Sequence, residues 1–224
     1  MHILVVAATP MEVAAIAAGL RHISDEGPRL KRYERAGHDI DVLVTGVGMV
    51  STAAWCSREL ALGHYDLALN VGACGSFDRA LPPGSVVHVV SDRISELGAE
   101  DDESFLTLQE LNLPGEPDLT ADRLVNAAPP KNEVLSRLPP VNGITVNTAH
   151  GNERSIAAVV RRFNPQVESM EGAAFMYACT IHELPFAQVR AVSNLVEKRN
   201  REAWKLAEAV RRLGEATLSI LDHQ

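Results

Sequence analysis

The chain has 224 residues, with 21 Lys and Arg against 29 Asp and Glu for a formal charge of -8, and 46% of it is apolar and 22% charged. That is the composition of an ordinary globular protein, and it argues against a disordered chain or a collagen-like fibre, while the length is enough for one large core. The acidic balance and an aromatic content of only 4% leave little with which to hold phosphates or stack bases, so nucleic acid is not an expected partner.

From the N-terminus, apolar runs of strand length recur at 2–8, 40–48, 66–75, 85–90, 143–148 and 185–194. Most are continuous rather than alternating, the pattern of strands covered on both faces. Segments of helical period lie between them at 11–20, 49–62, 153–163, 172–182 and 201–221. Strands alternating with helices predict an α/β fold: a central mixed, largely parallel twisted sheet flanked by helices. The stretch 100–142 differs, because Pro114, Gly115, Pro117, Pro129, Pro130, Pro139 and Pro140 interrupt it. It reads as an irregular insertion with short helices, of a length that often serves function. No composition step marks a boundary, so one domain over 1–224 is expected.

Cys56, Cys74 and Cys179 are an odd number with no CxxC pair, which suggests neither a disulfide framework nor a cysteine zinc site. The histidines show no ligand spacing, so neither a metal nor a cofactor is expected. The apolar run at 3–8 is too short for a signal segment and no stretch reaches the ~20 apolar residues of a membrane span, so a soluble, cytoplasmic protein is expected.

Ligands of open α/β sheets bind beyond the carboxyl ends of strands. The first strand ends in Thr9-Pro10-Met11-Glu12. One reading is a capping box with Thr9 as N-cap, Pro10 first in the helix and Glu12 third. The other is a general base at the strand-to-helix corner, and the two can coexist. Gly46-Val47-Gly48 and Gly72-Ala73-Cys74-Gly75 follow strands and would let a ligand approach backbone. Gly46-x-Gly48-x-x-Ser51 only imitates a dinucleotide fingerprint, since it lacks the third glycine and does not follow the first strand. Glu171 precedes an apolar helix, where an acidic residue also suits the helix dipole. The last run ends in Ser193-Asn194 and then turns sharply polar at Glu197 to Glu202.

Glu12, the Asn70-Val71-Gly72-Ala73-Cys74-Gly75 turn, Met170-Glu171-Gly172-Ala173-Ala174 and Val189-Arg190-Ala191-Val192-Ser193-Asn194, in that order, resemble the motifs of the purine nucleoside phosphorylase and nucleosidase superfamily. The resemblance implies an N-glycosidase. Glu12 would activate water, Glu171 would hold the ribose hydroxyls with Met170 against the sugar, and Asn194 would handle the base at N7. Gly72, Ala73 and Ser193 would line the substrate. Methylthioadenosine nucleosidases carry Asp where this chain has Asn194; an amide has two N–H donors and suits N7 together with a 6-oxo group. Trimeric-type phosphorylases have Arg at Asn70 and Ser at Ala73 to hold phosphate, so the departure here implies water as the nucleophile.

Val146 to Gly151 and Ser193 to Glu202 further resemble the branch that releases hypoxanthine from a nucleoside bearing a carboxyphenyl ketone at its 5′ end, an activity of menaquinone biosynthesis. Lys198, Arg199 and Arg201 are candidates for that carboxylate through their nearness to Asn194. The family's habit implies a homodimer or larger homo-oligomer. A phosphate-dependent 6-oxopurine phosphorylase, an adenine-type nucleosidase and a non-catalytic nucleoside sensor are the alternatives; a sensor would have no need of Glu12.

Overall fold

The computed structural model describes residues 1–112 and 123–224. Strand β1 (His2–Ala7) lies between β4 (His38–Val44) and β5 (Leu67–Ser76), parallel to both. On the far side of β5 runs β12 (Phe186–Leu195), also parallel, and next to it β6 (Val86–Arg93), antiparallel. Strand β10 (Pro140–Thr145) follows parallel to β6, and the three-residue β11 (Val167–Ser169) parallel to β10. Strand β11 then pairs antiparallel with the end of β5, so β5, β12, β6, β10 and β11 close into a ring. Cys74, Val87, Val89, Val141, Val167 and Val192 pack together across this ring.

The continuous apolar runs are strands because both of their faces are covered: Ile3 to Ala7 are fully buried. One core layer gathers beneath α1 (Pro10–Ala18) and α6 (Leu206–Asp222), with Val13, Ile16, Leu213 and Ile220 packed on Ile3, Val5 and Leu69. On the other face α2 (Met49–Leu62) and α5 (Gly172–Ile181) bring Cys56, Phe175 and Met176 onto Leu4, Val6 and Ala68. Helix α4 (Glu153–Phe163) sits outside the ring with Val159 on Ile144 and Val146.

The sheet is mixed, as the sequence suggests, and the six runs all become strands. The fourth helix and the second have the expected ends, Glu153–Phe163 and Met49–Leu62. Other bounds and elements differ. Strands β2 (Arg21–Asp25) and β3 (Leu30–Arg35), an antiparallel meander on β4, escape sequence reading because nearly every side chain is polar and half or fully exposed. Strand β4 stops at Val44 instead of residue 48, since Gly46 and Gly48 take φ of 90° and 98° and turn the chain out of the sheet. The last helix starts at Leu206, and Arg201–Ala203 form a separate 3-10 turn.

The stretch 100–142 holds more strand than expected. Its described residues include a hairpin of β7 (Gly98–Asp101) and β8 (Ser104–Thr107), strand β9 (Arg123–Val125) on the edge of β6, and one short helix, α3 (Glu133–Arg137). Pro114, Gly115 and Pro117 lie outside the described residues. Among the described residues no helix is long and apolar enough to cross a membrane, and no group of three or more His, Cys, Asp and Glu stands together as a metal site.

Candidate active site

The carboxyl ends of β1, β5, β11 and β12 open onto one cleft of about 230 Å³. Glu12, Ala73, Met170, Glu171, Ser193 and Asn194 all line it. Six of the residues that sequence reasoning placed at the substrate, drawn from four separate stretches, are thereby brought together.

Glu12 is 7% exposed and does both jobs read from the sequence. It is third in α1 and reaches back to cap it, with Oε2 accepting from Thr9 N and from Thr9 Oγ1, each at 2.9 Å. Oε1 accepts from Ala73 N at 3.0 Å, which ties the helix start to the middle of β5. Three donors and no acceptor surround it, so the carboxylate is oriented by backbone rather than left to choose a rotamer.

Glu171 is the N-cap residue of α5, where negative charge is favoured. Its Oε1 accepts from Gly48 N at 3.0 Å, and its Oε2 lies 3.5 Å from Arg190 Nη1. Arg190 is 1% exposed. It donates from Nε to Gln188 Oε1 at 3.1 Å and from Nη2 to Asn70 Oδ1, while Asn70 itself donates to Val6 O. Gln188 passes the chain on to Asp92, whose carboxyl burial pushes up to about 6. A buried guanidinium without such partners would be costly, so this row of polar side chains fixes where Glu171 can stand.

Gly72 does not line the cleft. A Cβ there would collide with Arg190 Nη1 and come within 2.9 Å of Glu12 Oε1. Glycine lets the guanidinium and the carboxylate close over the strand. Gly72→Ala is expected to cost about 1–3 kcal/mol of stability, because Arg190 is held on two sides and cannot yield. A urea midpoint equal to that of the wild type would show that the pocket around Arg190 can relax.

Strand β12 carries a bulge between Val192 and Asn194, so that Asn194 stands opposite Gly75. Asn194 Oδ1 accepts from Ser193 Oγ at 2.7 Å and Nδ2 donates to Leu195 O at 2.9 Å. One of the two amide hydrogens is thus already committed to the backbone, which leaves one for a base. Ser193 Oγ also lies 3.1 Å from Cys74 O, so its single hydrogen is divided between that carbonyl and Asn194. Cys74 lines the cleft too, but burial pushes its thiol up to about 12, which rules out a ready thiolate.

Four cleft-lining or supporting residues carry no role in the sequence reading. Arg190 gave a signal, being the one charge inside a ten-residue apolar strand. His150 and Glu168 gave none, since nothing in their spacing pairs them; yet His150 Nδ1 lies 2.6 Å from Glu168 Oε2, and His150 N donates to Oε1 at 3.1 Å. Trp204 enters from the 3-10 turn, beneath Arg199 with the guanidinium carbon 5.6 Å from its ring centre. Arg199 is a cleft residue, whereas Lys198 and Arg201 are not.

An α/β sheet of this order, with carboxylates and an amide at its strand ends, is the frame of a nucleoside-handling enzyme. Residues 2–223 match the family model of the phosphorylase superfamily, and the chain belongs to that superfamily. It is 32% identical to a futalosine hydrolase of Streptomyces coelicolor, over 96% of this chain and 93% of that protein. It is 27% identical to a 5'-methylthioadenosine/S-adenosylhomocysteine nucleosidase of Bacillus thuringiensis, over 89% of this chain and 88% of the other. Among solved structures, the futalosine hydrolase of Helicobacter pylori shares the fold with a TM-score of 0.81 at 15% identity, covering 99% of this chain and 97% of that one.

Proposed function

We propose that the protein hydrolyses the N-ribosidic bond of futalosine, releasing hypoxanthine with water as the nucleophile. The observation that carries this reading is the meeting of Glu12, Glu171 and Asn194 in a single cleft, which supplies the three groups the reaction needs. Glu12 is bound to Ala73 and Asn194 is paired with Gly75, two residues further along β5, a span of about 7 Å. That is room for a ribose with water on one side and a purine on the other. Water adds to C1′ as the bond to N9 breaks, and Glu12 accepts the water's proton. Glu171 fixes the sugar hydroxyls with Met170 against the ring, and Asn194 donates to N7, so that binding is strongest where charge develops.

Water rather than phosphate is favoured because Asn70, the position that would be basic in a phosphate site, is turned away to Arg190 and Val6. The 32% identity to a protein named futalosine hydrolase supports futalosine as the substrate, and hence a place in the futalosine route to menaquinone. Three buried, unpaired cysteines suit the reducing cytoplasm. The 5′ side is closed by a second copy of the chain in a homo-oligomer, a reading supported by Val47, which lines the cleft yet is 56% exposed.

The test is to offer futalosine, inosine, adenosine and methylthioadenosine with and without phosphate and to identify the base set free. Hypoxanthine from futalosine, at a rate indifferent to phosphate, is the expected result. Release that requires phosphate would make the protein a phosphorylase, and faster release of adenine would make it an adenine-type nucleosidase.

A further inference from the structure

Asn194 can donate a hydrogen bond to the purine but does not give up a proton. When the bond to N9 breaks, the purine leaves with the electron pair, and a proton delivered to the ring removes the charge. Among the cleft's titratable groups, Glu12 already takes the water's proton in the hydrolase reading, and Glu171 is fixed between Gly48 and Arg190. Cys74 holds its proton too tightly, Arg199 stays charged, and Glu197 has no hydrogen bond among the described residues to hold it in place.

His150 and Glu168 are different. In the sheet register Gly75 of β5 is paired on one side with Glu168 of β11 and on the other with Asn194 of β12. A Cβ on Gly75 would lie 3.4 Å from Asn194 Nδ2 and 3.4 Å from Glu168 Cγ, so both side chains approach the same face of that glycine. Both oxygens of Glu168 are spent on His150, one on its backbone N–H and one on Nδ1. The imidazole is further set by the edge of Phe77, at a centroid distance of 6.1 Å. With Nδ1–H given to Glu168, Nε2 is the ring nitrogen that has no protein partner among the described residues, and it carries a hydrogen only in the imidazolium form. The side chain is 13% exposed, and the residue lines the cleft.

Resting on the hydrolase reading above, we infer that His150, oriented by Glu168, is the acid that protonates the departing purine. The C1′–N9 bond breaks with its electrons going to the base, and His150 Nε2–H passes a proton to a purine ring nitrogen. Water forms the new bond to C1′ and loses a proton to Glu12, and solvent returns that proton from Glu12 to His150. The sum is one water added across one bond. Glu168 is a positioning residue: its carboxylate takes the Nδ1–H and so orients the ring, and the step uses the imidazolium form, in which Nε2 also carries a hydrogen.

The experiment varies the leaving group on one sugar. His150→Gln is assayed with hypoxanthine and with 4-nitrophenolate as leaving groups, the second needing no proton to depart. Hypoxanthine release is expected to fall roughly 10²- to 10³-fold and to fall at least about 10-fold more than nitrophenolate release. Glu168→Gln should show the same inequality with a smaller fall in kcat and little change in KM, and it decides the matter where His150→Gln fails to fold by circular dichroism. Equal losses on both leaving groups, or a loss on hypoxanthine below about 5-fold, would overturn the role of His150. Wild type that releases adenine instead would end the substrate reading alone, since the same comparison with adenine as leaving group still judges the acid. Wild type inert on every nucleoside would end both.

Discussion

Glu12→Gln is expected to lower kcat for hypoxanthine release by roughly 10²- to 10⁴-fold, with ligand binding largely kept, because it removes the group that takes the proton of the attacking water. The hydrogen bonds of Glu12 add a second, separable effect. A glutamine has one oxygen and one NH2, and both sites occupied by the carboxylate oxygens face backbone N–H groups, of Thr9 on one side and Ala73 on the other. Whichever way the amide is turned, one N–H meets another, at a cost of about 1–3 kcal/mol in stability. Turnover should therefore be measured well below the melting temperature of the variant, where the folded fraction is complete. A residue that only capped α1 would lose stability and keep its rate. Near-normal kcat in a folded Glu12→Gln protein would remove Glu12 from the chemistry.

Asn194→Asp is expected to reduce kcat/KM for a hypoxanthine nucleoside by about 10²- to 10³-fold, while the ratio of adenine to hypoxanthine activity rises. An ionised carboxylate at 194 would set an oxygen where Nδ2 now stands, 2.9 Å from Leu195 O, acceptor against acceptor. It would also present no donor to N7. Only the protonated acid can donate, and with one oxygen donating to N7 the other can accept from a 6-amino group. The wild-type amide has a single hydrogen free for the base, so contact with both N7 and O6 requires the bond to Leu195 to open. Two nucleosides that differ only in the base, assayed on both proteins, give the ratio. A ratio unchanged by the substitution would mean that Asn194 does not read the purine.

Much of this was legible in the residue order. Strands such as Ile3 to Ala7 declare themselves because burial on both faces demands an unbroken apolar run, and Gly172 to Ile181 because an apolar helix so continuous must lie inside the molecule. Glu12, Glu171 and Asn194 were legible by motif and by their places at strand ends. Arg21 to Arg35 could not be read as strands, since the meander covers an edge and its side chains answer to solvent rather than to a core. The partnership of His150 and Glu168 could not be read either. It exists only because β11, three residues long, folds back antiparallel on Gly75, and no local pattern encodes a ladder that short. Gly72 shows a related limit: sequence shows that a side chain is missing, and only the fold shows that Arg190 and Glu12 fill the space.

The ring of β5, β12, β6, β10 and β11 has a consequence for the protein in concentrated solution. A sheet invites a second molecule to add a strand wherever backbone N–H and C=O groups stand unpaired at its margin, and closure removes that invitation along most of the core. Among the described residues the main sheet path ends at β2, where Arg21, His22 and Asp25 are exposed and the register shifts between His22 and Ser24, and the three-residue β9 flanks β6. Charge, a bulge and brevity each discourage docking by another chain. The polar meander that hid from sequence reading is thus what keeps a sheet of ten strands from growing beyond a single molecule.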